Sequence, residues 1–124
     1  MSRTILIVED ADTCLDMLEV ALLAVPDIHI QPAATGEEAL DYLDGRDVCA
    51  IITDLNLPRM DGFELSERVR SRPARAKVPI LVVSGDSDPA TPERLRRLGA
   101  DAFFTKPYSP SELRLKLEQL IHGK

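Results

Sequence analysis

Three short stretches of the chain are apolar at every position and rich in β-branched residues: Ile5–Val8, Val48–Ile52 and Ile80–Val83. A strand with one wet face alternates apolar and polar side chains, whereas a strand covered on both faces has no need to. The three runs are therefore predicted as central strands β1, β3 and β4 of a parallel sheet. Ile28–Ala33 and Asp101–Thr105 mix polar residues or proline with apolar ones, which suits edge strands β2 and β5. Cys14, Leu18, Ala21, Leu22 and Val25 recur at helical spacing and predict an amphipathic helix α1 with one buried stripe. Thr35-Gly-Glu-Glu38 and Ser109-Pro-Ser-Glu112 match the capping box that opens a helix, and predict the starts of α2 and α5, the latter with Pro110 at the favoured first position. Gly45 and Gly99 follow helical stretches as stops for α2 and α4, and α3 falls between β3 and β4. Asp88-Pro89 and Thr91-Pro92 compete to start α4, so that helix is expected to be short and weakly held at its N-terminus. All nine prolines fit connections, helix starts or an edge strand.

Strands alternating with helices, joined by right-handed crossovers, define one doubly wound α/β domain over residues 1–124 with helices on both sheet faces. The chain has 124 residues, 44% of them hydrophobic, enough for one core and too few for two. With 21 acidic against 15 basic side chains and a net charge of −6, no basic footprint for nucleic acid is expected. Cys14 and Cys49 lack CxxC spacing and read as small buried thiols, which sets aside disulfide and zinc scaffolds. No apolar run approaches the roughly 18 residues of a membrane span, and Met1 leads directly into the first strand, so a soluble cytoplasmic protein is expected. His29 and His122 are placed at the surface, and Arg94, Arg96 and Arg97 form a charged face of α4.

In open parallel sheets ligands bind beyond the carboxyl ends of the strands. Four of the five ends carry chemistry: Glu9-Asp10 after β1, Asp54 after β3, Ser84-Gly85 after β4 and Lys106 after β5, whereas β2 ends in Ala33-Ala34. Two carboxylates about 4 Å apart repel by roughly 4 kcal/mol at an effective dielectric near 20 unless a cation neutralises them. An all-oxygen cluster with few carboxylates suits a hard cation that keeps some of its water, which favours Mg2+ over Ca2+, and Lys106 adds a fixed positive charge.

Glu9-Asp10, Asp54, Ser84 and Lys106-Pro107, with Leu57-Pro58-Arg59-Met60-Asp61-Gly62 after the central aspartate, resemble the receiver domain of bacterial response regulators over essentially the whole chain. The resemblance implies a flavodoxin-like sheet of order 2-1-3-4-5, the order already known for a chemotaxis member of that family. It implies that Asp54 is the phosphoacceptor and that Ser84 and Lys106 hold phosphoryl oxygens. Glu9, Asp10, Asp54 and the Asn56 backbone carbonyl would hold Mg2+. Ser84 and Phe103 would form the switch, and the Lys106–Pro107 bond would be cis. A sensor histidine kinase or histidine phosphotransfer protein would be the donor, and a downstream protein would read the α4-β5-α5 face, with a homodimer on phosphorylation as one outcome. Such a protein forms an aspartyl phosphate by catalysing only its own phosphorylation and dephosphorylation, without being an enzyme toward other substrates. No output domain, nucleic-acid contact or membrane contact is expected.

Two other readings compete. Asp10-Ala-Asp12-Thr13 resembles the opening motif of haloacid-dehalogenase-like phosphatases, with Asp10 as nucleophile, but it leaves Asp54 and the Leu57–Gly62 turn without a role, and Cys14 departs from that pattern. A receiver-like module that works without phosphorylation should have lost the acceptor, an acidic residue or the lysine, and all three are retained.

Overall fold

A computed structural model describes residues 3–122. Its elements are β1 (Arg3–Val8), α1 (Asp12–Ala21), β2 (Ile28–Ala33), α2 (Gly36–Leu43), β3 (Ala50–Asp54), α3 (Gly62–Arg70), a 3-10 turn (Pro73–Arg75), β4 (Ile80–Ser84), α4 (Thr91–Arg97), β5 (Ala102–Thr105) and α5 (Pro110–His122). The five strands are all parallel in the order β2-β1-β3-β4-β5, with the two mixed-polarity strands at the edges. Pro32, which has no N–H for a ladder, lies on edge strand β2 opposite Ile7.

Alternation along each strand divides the core in two. Ile5, Ile7, Ile52, Leu81 and Val83 pack with α1 and α5, while Leu6, Val8, Ile51, Ile80 and Val82 pack with α2, α3 and α4. The central strands are buried on both sides for this reason, and their sequences need no polar alternation.

The boundaries of β3 and α1 differ from those expected, while α4 is as short and weakly capped as its competing starts predict. β3 begins at Ala50 rather than Val48 and continues through Thr53 and Asp54, which pair with Val82 and Val83 of β4. Polar character had suggested an earlier end, but parallel pairing keeps both in the ladder, Thr53 between Val8 and Val82 and Asp54 beside Val83 alone. α1 stops at Ala21 although Leu22 and Val25 of its stripe are buried, because the chain unwinds through a turn ahead of Pro26, whose ring disfavours a helical residue before it. α4 is only seven residues long and starts at Thr91 with no side-chain cap on its first turn. The capping boxes hold: Thr35 and Ser109 accept from the Glu38 and Glu112 N–H groups at 3.1 and 3.3 Å.

One buried guanidinium ties three connections together. Arg70, at the end of α3 and only 18% exposed, donates twice to the Gly99 carbonyl, once to the Arg75 carbonyl and once to Asp101, whose same oxygen accepts the Ile80 N–H. Removal of the guanidinium strands two carbonyls and a carboxylate. An Arg70→Ala variant is therefore expected to lose about 2–3 kcal/mol of stability, seen in thermal denaturation as a fall of roughly 10 °C; a change within a degree of wild type would show that water replaces these bonds at no cost.

Candidate phosphoryl-transfer site

The register brings the carboxyl ends of the strands into one row. Val8 is level with Thr53, Asp54 with Val83, and Ser84 with Thr105, so the residues that follow them share one edge of the sheet. Asp54 is the last residue of a strand covered on both faces, and its side chain is 10% exposed; that of Glu9 is 2% exposed. Lys106 leaves β5 ahead of a cis peptide to Pro107 and reaches both carboxylates, with Nζ 3.0 Å from Asp54 Oδ2 and 3.6 Å from Glu9 Oε1.

Each carboxylate is also held by backbone. Asp54 Oδ1 accepts the Asn56 N–H at 3.0 Å, and Glu9 Oε2 accepts the Ala11 N–H at 3.2 Å. One ammonium thus serves two acids. Burial pushes the Glu9 carboxyl up to about 6; the Ala11 N–H opposes that rise, the charge of Asp54 adds to it and Lys106 opposes it. Burial alone would lower the Lys106 ammonium, but the hydrogen bond to Asp54 and the charges of both carboxylates outweigh it and hold the group above the usual lysine range.

This has a measurable consequence. In the folded protein Glu9 keeps its proton to higher pH than in the unfolded chain, so its contribution to stability falls as pH rises from about 4.5 to about 6 and is level above that. Denaturant titrations in EDTA should show that slope in wild type and its loss in Glu9→Gln; parallel profiles for the two proteins would contradict the assignment.

Ser84 is fully buried, and its Oγ accepts from the Asp86 N–H at 3.0 Å and, more distantly, from Asn56 Nδ2 at 3.5 Å. Both contacts use the oxygen as acceptor, so its O–H remains able to donate. Asp86 in turn accepts from the Thr91 hydroxyl at 2.7 Å and from the Asp88 N–H at 2.9 Å, so the loop after Ser84 is fastened to the first residue of α4. Phe103 is half-buried beside Pro92 and Leu95 of α4.

Asp10 stands apart from this group. It is exposed on the β1-α1 loop and makes no hydrogen bond or ion pair among the described residues. Nor, among those residues, do any three acidic, histidine or cysteine side chains gather closely enough to hold a metal ion alone. The site still suits a hard cation, because Glu9 and Asp54 share one ammonium and the Glu9 carboxyl is pushed up by burial and by the charge of Asp54. Sequence reasoning missed Cys14, whose Sγ lies 3.6 Å from Lys106 Nζ, and the Asp86–Thr91 bond. Neither follows a spacing rule; both depend on how loops fold back.

The fold and site together define a flavodoxin-like α/β protein with an acidic, lysine-bridged pocket at its switch-point edge. The sequence profile of the response regulator receiver domain matches residues 5–118, and the chain belongs to that family. It is 30% identical over 118 residues to the chemotaxis protein CheY homolog of Campylobacter jejuni, covering 94% of this chain and 91% of that one. A response-regulator structure from Chloroflexus aurantiacus superimposes with a TM-score of 0.91 at 34% identity, covering 98% of both chains. The chemotaxis response regulator CheY4 of Vibrio cholerae superimposes with a TM-score of 0.86 at 28% identity, covering 97% of this chain and 99% of that one. Receiver domains are signalling domains of two-component systems rather than enzymes acting on external substrates. No helix among the described residues is long and apolar enough to cross a membrane.

Proposed function

We propose that Asp54 accepts a phosphoryl group from the phosphohistidine of a sensor histidine kinase or histidine phosphotransfer protein. The observation that carries this reading is the 3.0 Å contact between Lys106 Nζ and the buried Asp54 carboxylate at the aligned strand ends. A carboxylate oxygen of Asp54 attacks phosphorus, the P–N bond breaks, and the imidazole leaves with the electron pair and takes a proton from solvent. Lys106 balances charge on the transferred oxygens, and the Ser84 O–H can donate to one of them. Hydrolysis of the acyl phosphate restores the carboxylate and releases inorganic phosphate.

Glu9, Asp10, Asp54 and the Asn56 carbonyl are the oxygen donors suited to Mg2+. A bound Mg2+ supplies positive charge that lets an anionic phosphoryl group approach a buried carboxylate. The exposed Asp10, without an internal partner, can turn to a hydrated cation at no cost in broken contacts.

The test is labelling with acetyl phosphate in Mg2+ or EDTA, then borohydride reduction, which converts an aspartyl phosphate to homoserine, and peptide mapping. Homoserine at position 54 in Mg2+ alone is the expected result; homoserine at position 10 would replace the reading by a phosphatase-like one.

Output is assigned to the α4-β5-α5 face: Ser84, drawn by its O–H toward the new phosphoryl oxygen, shifts away from the Asp86 N–H and lets Phe103 turn inward. Beryllofluoride should therefore shift amides throughout residues 84–108. Shifts confined to the loop around Asp54 would leave that face without a signalling role.

A further inference from the structure

At the opposite edge of the sheet from Asp54, the ends of α2 and α3 and the 3-10 turn enclose a concavity of about 330 Å³ lined by Leu40, Asp44, Arg68, Ser71, Arg72 and Arg75. Helices of a parallel α/β sheet run against the strands, and α3 at about 1.5 Å per residue carries the chain some 13 Å from the Asp54 edge. The two sites are separate.

The positive charge here is poorly matched. The Arg75 side chain is 12% exposed, yet its Nε makes only a long 3.4 Å bond to the Val69 carbonyl, and its Nη1 stands 3.9 Å from Asp44 Oδ1. Neither distance is that of a good charge-assisted bond, which is near 2.8 Å. Arg72 approaches the same Asp44 oxygen, at 3.6 Å. Two guanidiniums therefore lean on one oxygen of one carboxylate without either bonding to it closely. Burial, then the neighbouring charge of Arg72, lowers the Arg75 guanidinium. Arg68, at the rim, is paired to Glu64 at 2.9 Å. This concentration of arginine is local, because the chain as a whole carries a net charge of −6.

We propose that this concavity binds a phosphate-type anion, a pyrophosphate group being the size and charge that fit, with Arg75 and Arg72 as its forks and Arg68 at its rim. Planar guanidiniums match the tetrahedral oxygens of a phosphate two at a time, and a fork already stripped of water loses little more on binding. Asp44 occupies the cation pair in the free protein as a half-exposed internal counter-ion and competes with the anion.

That competition makes the proposal falsifiable in both directions. The probe is inorganic pyrophosphate in EDTA, followed by the backbone amide shifts of the labelled protein. Saturable shifts are expected at Asp44, Ser71, Arg72 and Arg75, with affinity about tenfold weaker in Arg75→Gln and roughly threefold tighter in Asp44→Asn. Arg72→Gln, at an exposed position, gives the same weakening if Arg75→Gln fails to fold. Shifts only around Asp54, Ser84 and Lys106, shifts that never saturate, or an unchanged affinity in the arginine variants would overturn it. Acetyl phosphate labelling of Asp54 is unaffected by these variants, so the outcome is independent of the phosphoacceptor reading.

Discussion

An Asp54→Asn variant is expected to lose phosphoryl labelling by more than about a thousandfold while keeping its fold. A carboxylate carries a full negative charge on the attacking oxygens, and the amide that replaces it is neutral and a poor nucleophile at phosphorus. The geometry around it barely changes. The amide oxygen still accepts the Asn56 N–H or the Lys106 ammonium, which bind the two carboxylate oxygens of wild type separately. Two charge effects oppose each other: Lys106 loses its 3.0 Å partner and keeps Glu9 alone, while the like charge that raises the Glu9 carboxyl is gone. The melting temperature should therefore stay close to that of wild type as labelling vanishes. Labelling that survives at another residue would remove Asp54 from the mechanism; loss of both labelling and fold would be answered by an Asp54→Glu variant, expected to fold and to label poorly because its carboxylate is displaced by one methylene.

The second large effect is expected at a residue with no chemistry of its own. A methyl group on Gly62 would sit 2.8 Å from the Asp54 carbonyl oxygen and 2.8 Å from the Leu55 Cα, both of them backbone. The Gly62 N–H also donates to the Leu55 carbonyl at 2.7 Å, so α3 starts pressed against the segment that presents the acceptor. Backbone cannot swing aside as a side chain can. Gly62→Ala should cost about 1–3 kcal/mol by overpacking. Displacing the Asp54 carboxylate by even a fraction of an ångström should also slow labelling by up to about a hundredfold. Gly85→Ala is the stability control: a Cβ there meets nothing within 4 Å, and its melting temperature should match wild type. Equal stability for both variants would show that the α3 start yields more readily than its contacts imply.

The sheet was legible in the sequence because burial on both faces leaves a direct imprint: Ile5–Val8 and Ile80–Val83 can be nothing but apolar where both cores meet them. Edge strands, capping residues and the loaded strand ends followed from equally local rules. The end of β3 was harder, since Thr53 and Asp54 are polar yet paired, the first on both sides and the second with β4, and side-chain type says little about a backbone ladder. Arg70 was invisible for the opposite reason. Nothing in the spacing of an arginine at the end of α3 and a glycine 29 residues later reveals that they bond, because the contact exists only once two crossovers have closed.

That arginine makes α4 mechanically one-sided. Its C-terminal end is pinned through Gly99 by a buried, multiply bonded guanidinium. Its N-terminal end hangs on the half-buried Asp86 by the Thr91 hydroxyl, alone among side-chain bonds of the described residues. A rod held in this manner behaves as a lever whose fulcrum lies near Gly99, so a small displacement at Ser84 becomes the largest travel at Thr91 and fades toward Arg97. Amide hydrogen exchange along the seven residues should fall in the same direction, fastest where the rod is free and slowest at its pivot.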